Sequence, residues 1–226
     1  MALLFVIALA LVATSHAGPE SIVATGNSPS YVCKSKNSYY NVEGSCDSYI
    51  RCSDYVAVYQ LCPDGLHFNP DVRYPNYPCG YPADVPCLRR GAVQPAQPTE
   101  ECPHQYGYFP SPSATPDNCG HFRICIEGRA VDLDCPTGLA FNPDTSRCDW
   151  PSLVPSCKAS AYLGFSCPAV DDNDDRVENF KYPGNCFYFF SCQHGNVRLL
   201  SCDDGAAFDS ASGRCVDEEL VNCTQY

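Results

Sequence analysis

Eighteen cysteines fall into three sets of six under one spacing rule, and that rhythm constrains the chain more than anything else in it. The sets are Cys33, Cys46, Cys52, Cys62, Cys79, Cys87; then Cys102, Cys119, Cys125, Cys135, Cys148, Cys157; then Cys167, Cys186, Cys192, Cys202, Cys215, Cys223. In each set five residues separate the second and third cysteines, and nine separate the third and fourth. Three copies of one disulfide module follow from such a repeat. A metal reading fails, because no C-x-x-C or C-x-x-x-x-C pair supplies the closely spaced ligands of a structural zinc site. Each module spans roughly 55 to 60 residues, a size at which a hydrophobic core alone is marginal. A bridge closing about 15 residues contributes about 3 kcal/mol in the chain-entropy model, so three per module supply much of the net stability.

Residues 1–17 read as a signal peptide: an apolar run from Leu3 to Val12, then the small Ser15 and Ala17 before the cleavage point. The run is too short to span a bilayer and no other apolar segment approaches 18 residues, so a secreted protein without a membrane partner is expected. Disulfides persist in such oxidising compartments. The formal net charge of −12 argues against nucleic acid, whose binding depends on Lys and Arg neutralising phosphates. The acidic run Asp171-Asp172-Asn173-Asp174-Asp175 lacks an EF-hand's glycine and final acid, having Arg176 and Tyr182 there, and reads as a solvated loop. Neither metal nor cofactor is expected. No H-E-x-x-H or G-x-S-x-G occurs, and His67, His104, His121 and His194 share no common module position, so an enzyme is not expected. Asn222-Cys223-Thr224 is a glycosylation sequon and makes Asn222 a candidate acceptor.

Within the modules the signals are short strands and turns. Phe122 to Ile126 and Arg129 to Leu133 flank Glu127-Gly128, which reads as a hairpin with a two-residue loop, and Asp54-Tyr55 and His194-Gly195 occupy the equivalent positions. That hairpin pairs Cys125 with Ala130. A second hairpin turns at Asn142-Pro143-Asp144, at the middle of the gap between Cys135 and Cys148, and should bring those two cysteines opposite each other. The same argument links Cys62 with Cys79 and Cys202 with Cys215; the spacing alone leaves the other pairings open among 15 connectivities per module. Residues 88–101, with Gly91, Pro95 and Pro98, read as an extended, partly polyproline-like connection reaching on the order of 40 Å. Residues 158–166 form a shorter joint, so modules two and three are expected to be the more closely coupled pair.

The order of cysteine, Gly-x-x-Phe, Asn-Pro-Asp and Cys-Asp-Trp, seen from Cys135 through Gly138, Phe141 and Asn142 to Cys148-Asp149-Trp150, resembles the peritrophin-A, or type 2, chitin-binding domain. All three modules share its cysteine spacing, and the whole chain resembles the obstructor group of three-domain arthropod cuticular proteins analogous to peritrophins. The resemblance implies a small disulfide-rich all-β fold, three tandem six-cysteine modules that are each a distorted antiparallel β-sandwich of short hairpins. It places chitin-binding domains at 30–89, 99–159 and 164–225, with a proline-containing linker at 90–98. It also implies bridges from first to third, second to sixth and fourth to fifth cysteine: Cys33–Cys52, Cys46–Cys87, Cys62–Cys79; Cys102–Cys125, Cys119–Cys157, Cys135–Cys148; Cys167–Cys192, Cys186–Cys223, Cys202–Cys215. Module three departs from the pattern, with Cys215-Val216-Asp217 where module two has Cys148-Asp149-Trp150, and is expected to bind most weakly.

Chitin is an uncharged polymer, so a binder needs flat aromatic faces and a few hydrogen-bonding groups. The chain has fifteen Tyr, eleven Phe and one Trp. Tyr49, Phe122 and Phe189, each three residues after a second cysteine, are expected in the core. The candidate sugar contacts are Tyr40, Phe68, Tyr81, Phe109, Phe141, Trp150, Tyr182 and Phe208. The resemblance thus implies a secreted, non-catalytic protein of cuticle or another chitinous extracellular matrix, with chitin and other matrix proteins as partners. Its rivals are a gut-lining barrier protein and a secreted protease inhibitor or other protein-binding disulfide repeat.

Overall fold

The computed structural model describes residues 31–169 and 175–225. The signal segment 1–17 and most of the acidic run from Asp171 lie outside these residues. From Cys33 onward the three modules form a single compact unit. Module one carries β1 (Ser38–Asn41), β2 (Ser48–Ser53), β3 (Val56–Leu61), β4 (His67–Phe68) and β5 (Cys79–Gly80). Module two carries β6 (Gly107–Pro110), β7 (His121–Ile126), β8 (Arg129–Asp134), β9 (Ala140–Asn142) and β10 (Arg147–Asp149). A short helix, α1 (Ala159–Leu163), leads to module three with β11 (Glu178–Lys181), β12 (Tyr188–Gln193), β13 (Asn196–Ser201), β14 (Ala206–Asp209) and β15 (Arg214–Asp217). Each module is thus an antiparallel three-stranded meander beside a two-stranded hairpin.

The two-residue turns close the meanders as the sequence indicates. Glu127 and Gly128 have φ of 52° and 74°, the all-positive pair of a type I′ turn, and Cys125 faces Ala130. In the second hairpin the sequence reading needs correction. The turn is centred between Asp144 and Thr145, beyond the midpoint of the gap, so Cys148 faces Phe141 rather than Cys135, as Cys79 faces Phe68 and Cys215 faces Phe208. Cys135 sits further back, beyond the Gly138 turn, and still closes the bridge to Cys148. All nine disulfides join first to third, second to sixth and fourth to fifth cysteine of a module.

The phenylalanine facing the fifth cysteine is the centre of each module. Phe68 and Phe208 are fully buried and Phe141 is 3% exposed. Each stacks nearly parallel on the aromatic three residues after the second cysteine: Phe68 on Tyr49 at 5.0 Å, Phe141 on Phe122 at 5.0 Å, Phe208 on Phe189 at 4.9 Å. Phe68, Phe141 and Phe208 are therefore not available to a sugar, because their faces are spent on the hairpin-to-sheet contact. Phe141→Ala should cost module two about 3–5 kcal/mol. Calorimetry of that variant is expected to show a correspondingly lowered transition, and a cost under about 1 kcal/mol would remove the ring from the core.

Neither connection is loose. Residues 88–101 are extended, but Ala92 bridges Ser45 in parallel and its carbonyl accepts from the Cys46 amide at 2.7 Å. Gln94 donates its amide to the buried Asp47 carboxylate at 2.6 Å and its side chain to the Cys62 carbonyl at 2.7 Å. The expected free linker becomes a strap because the buried carboxylates of module one need donors, and the linker amides supply them. The second connection folds back similarly: the Tyr162 hydroxyl donates to the Leu139 carbonyl at 3.0 Å and lies so close to Gly120 that a Cβ there would collide with it. Ala159, Leu163 and Phe165 then pack on Phe190, Val197 and Leu199 of module three. Hydrogen bonds and packing thus hold both joints.

Candidate functional site

Two recurring module positions meet at each joint. The glycine of Gly-x-x-Phe is the first. Gly65, φ 92°, lies against the Tyr106 backbone of module two, where a Cβ would run into the Tyr106 carbonyl. Gly138, φ 88°, lies against module three, where a Cβ would stand 2.9 Å from the Leu199 Cβ. Gly205 of module three faces open space. The second position lies two residues after the fifth cysteine. The Tyr81 ring is 4.8 Å from that of Tyr108 in module two, and the Trp150 ring lies 5.0 Å below the Arg198 guanidinium of module three. Asp217 occupies this position in module three. One side of modules one and two is thus turned to the following module and builds a cleft with it.

The first cleft holds about 230 Å³ and is lined by Asp64, Tyr81, His104, Tyr106, Tyr108 and Phe109 among others. Asp64, 3% exposed, organises it. Its carboxylate accepts from the Gln97 amide at 2.8 Å, the Gln105 amide at 3.0 Å and His104 Nδ1 at 2.7 Å, and its carbonyl accepts from the Tyr106 amide at 3.0 Å. An ionised carboxylate only accepts, so Nδ1 carries the proton of this bond and Nε2 is the ring's other hydrogen-bonding atom. Burial alone would raise the Asp64 pKa, but the hydrogen bonds from His104, Gln97 and Gln105 outweigh it and hold the acid below its ordinary value. Burial, with Tyr108 and Tyr106 nearby, pushes the Tyr81 hydroxyl up, so it stays neutral. The Arg147–Asp84 ion pair, 2.7 Å, clasps the two modules beside the cleft. The second cleft, about 370 Å³, is lined by Trp150, Tyr188, Leu199, Leu200 and Ser201 among others.

The sequence candidates divide accordingly. Tyr81 and Phe109 line the first cleft and Trp150 the second. The Phe109 ring, 6.1 Å from His104 and nearly parallel to it, folds over Gly107, where a Cβ would be 2.5 Å from Phe109 Cζ. Tyr40 and Phe109 lie in β1 and β6 rather than in loops, and Tyr40 is half-buried. Tyr182 packs against Phe190 at 5.3 Å and Tyr188 at 6.0 Å, as part of the module-three core margin. Phe68, Phe141 and Phe208 are in the core. Asn222 is exposed and its side-chain oxygen accepts from the Thr224 amide and hydroxyl. Asp64, His104, Tyr108 and Arg198 were not singled out from sequence. The one signal for Asp64 is its place immediately before the recurring glycine, a place Thr137 and Asp204 fill in the other modules.

Comparison with known proteins matches this architecture to one family. The profile of the chitin-binding peritrophin-A domain fits residues 33–87, 102–157 and 173–223. Protein obstructor-E of Drosophila melanogaster is 40% identical over 195 residues, 81% of this chain and 77% of the relative. Peritrophin-1 of Anopheles gambiae is 32% identical over 119 residues, 48% of this chain and 72% of the relative. Probable chitinase 10 of Drosophila melanogaster is 23% identical over 250 residues, and the alignment covers only 10% of that protein. With three matched domains, nine disulfides in the six-cysteine repeat and an obstructor relative aligned along most of its length, the chain belongs to the peritrophin-A family of chitin-binding proteins.

Proposed function

We propose that the protein is a secreted, non-catalytic component of arthropod cuticle or another chitinous extracellular matrix, attached to chitin through its three modules together. The observation that carries this reading is the family match in all three modules within a chain aligned to obstructor-E over 81% of its length. The nine disulfides suit an oxidising, extracellular setting. The first cleft supports it: Tyr81 is neutral, the Asp64 charge is met by internal hydrogen bonds, and Tyr81, Tyr106, Tyr108 and Phe109 bring aromatic rings to a lining suited to an uncharged sugar. Peritrophin-1 aligns to 48% of the chain, so the obstructor reading is favoured over a gut-lining barrier protein. Retention on chitin beads against cellulose beads tests the substrate class. The oxidised full chain should stay on chitin and pass through cellulose, whose rings lack acetamides; equal behaviour on both would reject the reading.

A further inference from the structure

We propose that the joints between modules, rather than single-module faces, are the sugar-binding sites, and that the cleft between modules one and two takes one acetamido-sugar unit of a chitin chain. The inference rests on the chitin-binding reading and adds the place. Three observations carry it. The cleft is built from both sides: Tyr81 comes from module one, and His104, Tyr106, Tyr108 and Phe109 come from module two. Its volume, about 230 Å³, lies below the ~300–1,000 Å³ of sites for drug-sized ligands, which fits one ring rather than a run of them. Its polar groups are placed, with Asp64 fixing the His104 ring through Nδ1 so that Nε2 is the ring's second hydrogen-bonding atom, available to a hydroxyl or an acetamide.

The recurrence of the position after the fifth cysteine strengthens the assignment. Tyr81 and Trp150 each meet the following module, whereas module three has Asp217 at that position and nothing within 4 Å of Gly205, so the aromatic is present at the two positions that build a joint. Fixed straps keep the first cleft at one width: the Asp64 bonds to Gln97 and Gln105 and the Arg147–Asp84 pair all cross or border it.

Titration of the full chain with chitotriose, the soluble trimer of N-acetylglucosamine, tests the site by calorimetry. Tyr108→Leu keeps an apolar side chain in the joint but removes the flat face; Ala83→Gln adds bulk at an exposed position on the cleft rim. Each should weaken the trimer by about tenfold or more. Tyr59→Leu, an exposed ring on β3 outside both clefts, should leave it unchanged. Unaltered trimer affinity in both cleft variants, in a protein that still stays on chitin beads, overturns the joint site and leaves the chitin reading intact. So does a wild-type chain that holds chitin beads but ignores the trimer. A wild-type chain that passes through chitin beads sinks the parent reading instead. Far-ultraviolet circular dichroism of each variant separates a lost site from a lost fold.

Discussion

In Asp64→Ala, the Gln97 and Gln105 amides should exchange hydrogen about a hundredfold faster than in wild type, with the change concentrated in residues 88–106. The carboxylate accepts two backbone amides and one imidazole, all from beyond the fourth cysteine of module one. Removing one partner of a buried charged network costs about 3–5 kcal/mol, and each 1.4 kcal/mol is a factor of ten, so a local opening of roughly 10² follows. The core of module one should be little altered, since Phe68, Tyr49 and Leu66 do not depend on that carboxylate. The pH dependence has a definite sign. The folded-state pKa of Asp64 lies below the ordinary 3.8. The stabilisation is therefore complete above that ordinary value and is lost only as pH falls through the lowered one. Protection of these two amides, taken against the intrinsic exchange rate at each pH, should hold from neutrality down to about pH 5 and fall below about pH 4. Hydrogen-exchange mass spectrometry reads both results, and unchanged protection in Asp64→Ala would mean that the strap is held by other contacts.

Much of this architecture is legible in the sequence because cysteine spacing and turn chemistry are local. The two-residue turns, their register at Cys125, and the bridge between Cys135 and Cys148 follow from residues a short distance apart. The facing of Cys148 and Phe141 is less legible. It depends on where the turn is centred: Asn142 still pairs with Arg147, so the reversal falls at Asp144-Thr145 rather than at the midpoint of the gap. The stacked pairs of Phe68, Phe141 and Phe208 with Tyr49, Phe122 and Phe189 are hidden for a similar reason. An aromatic in a small module has equal chemical claim to core and surface until the packing of hairpin on sheet is known.

The joints are the least legible part. Residues 88–101 have the composition of a free linker, and the buried Asp47 and Asp64, which nothing local marks as buried, join the contacts of Ala92 and Gln94 with the module-one backbone in turning them into a strap. Trp150 stands out in the sequence as a candidate sugar contact, but its partner Arg198 lies in another module. The departures in module three are visible as missing residues at Asp217 and Asp209.

Retention of the full chain on chitin compared with that of isolated module three, residues 164–225, measures whether the modules act together. Linked sites raise each other's effective concentration, and avidity gains of roughly 10² to 10⁴ follow when both can engage at once. Here the straps fix the spacing before binding, so little further ordering opposes the second contact. Isolated module three has no partner module and carries Asp217 where Tyr81 and Trp150 stand in the others, and it would leave chitin during washing while the full chain stays. Retention of the full chain should also change little up to about 1 M salt, where screening reaches within about 3 Å and aromatic contacts persist. Equal retention of module three and the full chain, or release of the full chain by moderate salt, would contradict multivalent aromatic attachment and point to the net charge of −12 and a basic partner instead.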